Sequence, residues 1–125
     1  MLAMAWTIHF EETFETEFDQ MDAGLKKALL SNLVFLEALG PDLGRPKADT
    51  LNGSQHANMK ELRFNHDGGV WRVAYAFDTE RAGIVLVAGD KGGENEKRFY
   101  KKLIATADER FSNHQNKLKN QGESQ

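Results

Sequence analysis

The sequence predicts an α+β domain: a short strand and a helical pair, then a run of antiparallel strands, then one long C-terminal helix. Three observations carry this. Apolar residues recur every three or four positions between Phe14 and Leu36. Apolar stretches of strand character then follow closely on one another between Met59 and Ala88. A helical stripe returns after Glu94. Strands that cluster after a helical pair indicate α+β and not doubly wound α/β. The chain has 125 residues, one domain's worth. Residues 1–119 read as that domain, and 120–125 as a polar, disordered tail.

Trp6, Ile8 and Phe10 alternate with Thr7 and His9, the period-two signal of a strand over 5–10. Phe14, Phe18, Met21, Leu25 and Leu29 then take helical spacing. Gly24 is the expected break, with a second helix over 25–39 carrying Leu25, Leu29, Leu33 and Leu36 on one face. Gly40-Pro41 ends it, because proline cannot continue the hydrogen-bond ladder. Residues 41–57 hold both prolines and read as a polar loop with a turn at Asn52-Gly53.

Three strands are expected next, in hairpin succession. Residues 59–64 place Leu62 and Phe64 on one face and Arg63 on the other. Residues 70–78 place Trp71, Val73, Tyr75 and Phe77 on one face and Arg72, Ala74 and Ala76 on the other. Residues 84–88 are apolar throughout, as in a central strand buried on both faces. The Gly89-Asp-Lys-Gly-Gly93 stretch reads as a flexible loop. Residues 94–119 then read as a helix with Phe99, Leu103, Ala107, Arg110, Phe111 and His114 along one stripe. The predicted order is β-α-α-β-β-β-α.

Composition narrows the function classes. A chain with 40% hydrophobic residues, eight Phe and two Trp can build a core, so it is not wholly disordered. No apolar run approaches the roughly 18 residues of a membrane span. The start, Met1-Leu-Ala-Met-Ala-Trp6, lacks the basic and long apolar parts of a signal peptide, so a cytoplasmic protein is expected. There is no cysteine, hence no disulfide, thiol nucleophile or thiolate metal site. The net charge of −3 is uneven. Residues 1–44 carry eight acids against two bases, whereas 45–110 carry twelve bases against ten acids. That excludes bulk nonspecific nucleic-acid binding and leaves room for a local basic surface.

Several groups are candidates for chemistry. Arg63 and Arg72 share a face of neighbouring strands, where two planar guanidiniums can grip a phosphate. Paired with acids such as Glu61, the same face would be ordinary solvated sheet. Lys91 lies in the glycine-rich loop, which lacks the Gly-Lys-Ser/Thr ending of a nucleotide-binding loop and carries Asp90, Glu94 and Glu96. Lys97, Arg98, Lys101 and Lys102 flank Phe99-Tyr100, a pattern that can hold a nucleic-acid strand by charge and stacking. His9, His56, His66 and His114 show no metal-ligand spacing. His56 and His66 flank the Arg63 strand and are possible acids or bases.

Several pieces in order resemble the RelE/ParE superfamily of bacterial type II toxins, and within it the HigB-like, phage-derived branch. They are Lys47-x3-Leu51, Lys60-Glu-Leu-Arg63, Trp71-Arg-Val-Ala-Tyr75, Gly89-Asp-Lys91, Phe99-Tyr100 and Ala107. The resemblance implies a RelE-like fold and a toxin that enters the ribosome and cleaves mRNA without metal or other cofactor. It implies restraint by a cognate helix-turn-helix antitoxin. By the same resemblance Arg72, Lys91, Tyr100 and Arg63 are the catalytic candidates. Lys47, Lys60, Lys97, Arg98 and Lys101 are candidate RNA contacts, with His56 and His66 as substitutes in proton transfer. A ParE-like inhibitor of DNA gyrase and a noncatalytic partner-binding domain are the alternatives on the same fold.

Overall fold

Five strands make one mixed sheet in the order β1-β5-β4-β3-β2, with α-helices on both faces. The computed structural model describes residues 5–123. Its elements are β1 (Ile8–Phe10), α1 (Glu12–Asp19), α2 (Ala23–Leu39), β2 (Ala48–Thr50), β3 (Lys60–His66), β4 (Gly69–Phe77), β5 (Gly83–Asp90) and α3 (Glu96–Glu123).

The predicted α+β order holds, with one strand more than expected. That strand, β2, lies in the stretch read as loop and pairs antiparallel with β3, Ala48 opposite Leu62. The sheet is mixed and not wholly antiparallel, because β1 runs parallel to β5. The two expected hairpins are present as the antiparallel pairs β3–β4 and β4–β5. Asp67 and Gly68 close the first with positive φ at both turn positions, which matches the twist of the strands they join.

The helical pair breaks before Gly24. Asp22 caps α2 by accepting from Leu25 N at 2.9 Å, and Gly24 sits inside the helix. Glu11 caps α1 in the same way through Phe14 N. At the far end of α2, Gly40 takes φ +55, and a Cβ there would lie 2.5 Å from the Trp6 ring. Glycine lets that indole close over the helix end. α3 begins later than predicted and continues to Glu123, into the stretch read as tail; residues 124–125 lie outside the described residues.

The sheet separates two cores. On one face α1 and α2 bring Phe14, Leu25, Leu29, Leu33 and Leu36 onto Leu62, Phe64, Val73, Tyr75 and Val85. On the other, α3 lays Phe99, Leu103, Ala107 and Phe111 over Met59, Ala74, Ala76, Ile84 and Leu86. The outer side of α2 leaves Leu30, Val34, Phe35 and Leu39 exposed. Among the described residues no helix is long and apolar enough to cross a membrane.

Candidate functional site

Strand parity sends Glu61, Arg63, Arg72 and Ala74 to the α3 face. Arg63 is directly opposite Arg72, and Glu61 opposite Ala74. The residue across from Arg72 on its other side is Gly89, so no side chain crowds the guanidinium from β5. A Cβ on Gly89 would sit 2.9 Å from the Phe99 ring. That close approach seats the start of α3 on the sheet and brings Tyr100 over Arg72.

A bulge decides which charge joins them. The β4–β5 register slips between Ala74 and Tyr75, passing from Val87 to Val85 and leaving Leu86 extra. Leu86 and Val87 both pack toward α3, whereas Val85 and Ala88 pack toward α1 and α2. Beyond the bulge the alternation is reversed. Gly89 and Lys91 therefore face α3, and Asp90 turns to the β3–β4 hairpin, accepting from Val70 N and Gly92 N. The Lys91 ammonium ends 5.7 Å from the Tyr100 ring centroid. The stretch read as a flexible loop is thus strand through Asp90.

One buried carboxylate organises the cluster. The Glu61 side chain is 4% exposed. Its Oε2 accepts from Arg63 Nη2 at 3.0 Å and Nε at 3.3 Å. Its Oε1 accepts from Tyr100 Oη at 2.7 Å and lies 3.6 Å from Arg72 Nε. Arg72 Nε in turn donates to Tyr100 Oη at 3.3 Å, and its Nη1 donates to the Trp71 carbonyl. The Arg72 side chain is only 12% exposed. Burial first, then the hydrogen bond to Glu61, holds the Tyr100 phenol above its ordinary pKa. The Glu61 hydrogen bond raises that of Arg63.

Lys91 donates to Glu96 Oε1 at 2.9 Å. Glu96 is 69% exposed, and the Lys91 hydrogen bond, followed by the charges of Lys91, Arg72 and Arg63, keeps its carboxyl below the usual range. Glu96 thus meets Lys91 on an exposed side chain, whereas Glu61 is buried against Tyr100 and the two arginines.

The four catalytic candidates, Arg63, Arg72, Lys91 and Tyr100, come together. The RNA-contact candidates divide. Lys97, Arg98 and Lys101 are exposed on the first turns of α3, beside Tyr100 in sequence. Lys47 lines an open groove of about 540 Å³ with Asn32, Arg63, Phe64 and Arg72, a size within the roughly 300–1,000 Å³ of ligand sites. Its ammonium is bonded to Asn32 Oδ1 and lies over the Phe35 ring. Lys60 points to the α2 side and donates to the Pro41 carbonyl.

Neither histidine joins the cluster. His56 Nε2 meets Ser112 Oγ at 3.1 Å and its ring packs edge-on to Phe111. Ser112 is twelve residues along α3 from Tyr100, about 18 Å at 1.5 Å per residue. His66 has the parity of Leu62 and Phe64 and sits against Gly24 on the opposite face of the sheet. Glu61, expected only as one of the acids of a solvated sheet face, is the buried centre of the cluster. Its signal was the Glu-x-Arg spacing on one strand, which puts both side chains on one face.

A larger groove, about 710 Å³, runs between the start of α1 and α3. Two of its cations are held by acids of α1: Arg110 grips Glu17 through two 2.8 Å bonds and Lys117 pairs with Glu12, while His114 Nε2 meets Asp78 Oδ2 at 2.8 Å.

Residues 16–112 match the family described as phage-derived protein Gp49-like (DUF891). A Mycobacterium tuberculosis (strain ATCC 25618 / H37Rv) protein that carries the toxin name HigB2 is 36% identical over 113 residues. That alignment takes in 90% of this chain and 55% of the relative, so the chain spans about half of that protein's length. A second protein of the same strain, carrying the toxin name HigB3, is 49% identical over 79 residues, 63% of this chain and 67% of the relative. In fold the chain is similar to a doubly substituted variant of the E. coli toxin RelE in the free state. The TM-score is 0.57 at 16% identity, covering 82% of this chain and 96% of that one. The chain therefore belongs to the phage-derived Gp49-like family, alongside relatives that carry the HigB toxin name, and has a RelE-like fold.

Proposed function

We propose that this chain is the toxin of a type II toxin–antitoxin pair, acting in the cytoplasm as a metal-independent endoribonuclease on ribosome-bound mRNA. The observation that carries the reading is the convergence of Arg63, Arg72, Lys91 and Tyr100 on one side of the sheet, with Arg63 and Arg72 also lining a groove open to solvent. Cleavage of RNA by its own 2′-hydroxyl places extra negative charge on the phosphate. Fixed cations aimed at that charge stabilise it most when little reorganisation is needed. Arg72, pinned by the Trp71 carbonyl and Tyr100, is such a cation. Arg63 adds a second guanidinium for the backbone. Lys91 becomes available when Glu96 swings out, and Lys97, Arg98 and Lys101 extend the positive surface along α3.

The net charge of −3 does not oppose this reading. The acids of α1 meet α3 at Arg110 and Lys117, ten and seventeen residues beyond Tyr100, roughly 15 and 26 Å along the helix axis. The partner half of the proposal is a cognate helix-turn-helix antitoxin. The exposed apolar side of α2 supports a protein partner, since such faces mark contact surfaces.

Primer extension on a defined mRNA in a reconstituted translation reaction tests the reading. Purified wild type should cut at codons in the ribosomal A site, only with ribosomes present, and Arg72→Ala should abolish the cuts. Intact mRNA with folded wild type would overturn it and favour gyrase inhibition, read by a supercoiling assay, or a purely partner-binding domain.

A further inference from the structure

We infer that Glu61 is a positioning residue for proton transfer: it fixes Tyr100 as the acceptor of the 2′-hydroxyl proton and takes the phenolic proton in exchange. This rests on the nuclease reading above and assigns the direction in which Tyr100 works.

A phenol has one proton to donate. Tyr100 gives it to Glu61 Oε1 at 2.7 Å. With Arg72 Nε donating to the same oxygen, Tyr100 is not oriented to protonate a leaving group. What it has left is acceptor capacity on the solvent side. The Glu61 side chain is 4% exposed, and of its hydrogen-bond partners only Tyr100 can pass it a proton, since a guanidinium does not deprotonate. The charged groups facing Glu61 are Arg63 on its own strand, Arg72 on β4, and Asp49, directly across on β2 and 3.7 Å from Arg63 Nη2.

The step balances as follows. The 2′-oxygen bonds to phosphorus as its proton passes to Tyr100 Oη and the phenolic proton passes to Glu61 Oε1. The P–O5′ bond breaks with its electron pair going to O5′, which takes a proton from the Lys91 ammonium. The products are a 2′,3′-cyclic phosphate and a 5′-hydroxyl. Return of the proton from Glu61 through Tyr100 to water, and reprotonation of Lys91, reset the site.

The test compares full-length wild type, Glu61→Gln, Glu61→Asp and Tyr100→Phe in single-turnover cleavage on programmed ribosomes across pH. Folding is checked by circular dichroism and ribosome binding is measured separately. Glu61→Gln keeps a partner for the phenol but cannot accept its proton. Its rate should fall roughly 100-fold or more with binding unchanged. The rise of rate with pH on the acid side should vanish, and Glu61→Asp should restore part of both. Tyr100→Phe, which leaves the Glu61–arginine contacts in place, should match Glu61→Gln if that variant folds poorly. A Gln variant that cuts at the wild-type rate, or slower with the acid limb intact, overturns the relay while the nuclease reading stands. Wild type that cuts nothing overturns both. Ultraviolet titration of the phenols is a readout that does not depend on activity: Glu61→Gln should lower the Tyr100 value and leave Tyr75, held higher by burial, in place.

Discussion

Arg63 and Arg72 stand directly opposite each other across the β3–β4 ladder, two like charges at the closest cross-strand position. Such a pair destabilises a sheet unless something offsets it. The offset is Glu61, which reaches Arg63 with one carboxylate oxygen and lies by Arg72 with the other.

Removing that carboxylate should therefore be costly. Glu61→Ala is expected to lose about 3 kcal/mol of folding stability, the lower end for a broken buried pair because Arg63 can turn to solvent. Urea unfolding measures it. A loss below about 1 kcal/mol would mean the two arginines do not depend on Glu61.

Glu96 should act in the opposite direction. Its carboxyl is depressed by Lys91, so its charge, and its hold on Lys91, persist through neutral pH and are lost only as pH falls below the ordinary carboxylate range. Glu96→Gln releases Lys91 at neutral pH. Binding of a short single-stranded oligoribonucleotide should tighten severalfold, with a salt dependence steeper by roughly 0.7 in log–log slope, one more phosphate contact. Unchanged binding and slope would show that Glu96 does not compete for Lys91.

Arg110 is expected to matter for stability alone. It ties α3 to Glu17 and to the Leu86 carbonyl, and Glu17 raises its pKa further above the ordinary value. Arg110→Met should cost about 2 kcal/mol through the unpaired groups left behind. Cleavage per folded molecule should not change. Thermal unfolding and the primer-extension assay, run on one preparation, separate the two effects.

Gly89 links packing to the site. A methyl group there would collide with Phe99 at 2.9 Å and lift the start of α3. Gly89→Ala should cost about 1–3 kcal/mol, as overpacking does, and lower cleavage by moving Tyr100. Phe99→Leu in the same chain should restore part of both. Full activity of Gly89→Ala would show that Tyr100 does not depend on this seat.

Helices and long strands were legible because their patterns are strong. Leu25, Leu29, Leu33 and Leu36 announce α2, and Ile84–Leu86 announce a central strand. The β2 strand was not legible. Ala48-Asp49-Thr50 has no alternation of its own and is a strand only because β3 offers an edge to it. The parallel pairing of β1 was hidden for the same reason, since it depends on β5 arriving beside it. Gly24 misled because glycine is a weak signal inside a helix; the local chemistry of Asp22, a capping carboxylate three residues before Leu25, was the stronger one.

The site was half legible. Parity alone placed Arg63 and Arg72 on one face, and the family resemblance added Lys91 and Tyr100. That Lys91 faces Tyr100 follows from the bulge, which no residue type in β5 announces. The histidines were attractive by chemistry, but their positions follow from long-range packing against Phe111 and α2.

The length of β5 beyond its bulge also sets how this surface can change during evolution. Loss of Leu86 would remove the bulge and leave Gly89 and Lys91 on the α3 face, whereas loss of Ala88 would exchange the faces of the residues that follow it. Every motif of the site would then remain in the sequence, yet Asp90 would stand across from Arg72 and Lys91 would turn to the other side of the sheet. A single-codon deletion at a position that touches no substrate would thus silence the chemistry without altering any residue that performs it. Domains of this kind can lose or exchange activity by length change in one strand, and an inventory of their site residues would not register the event.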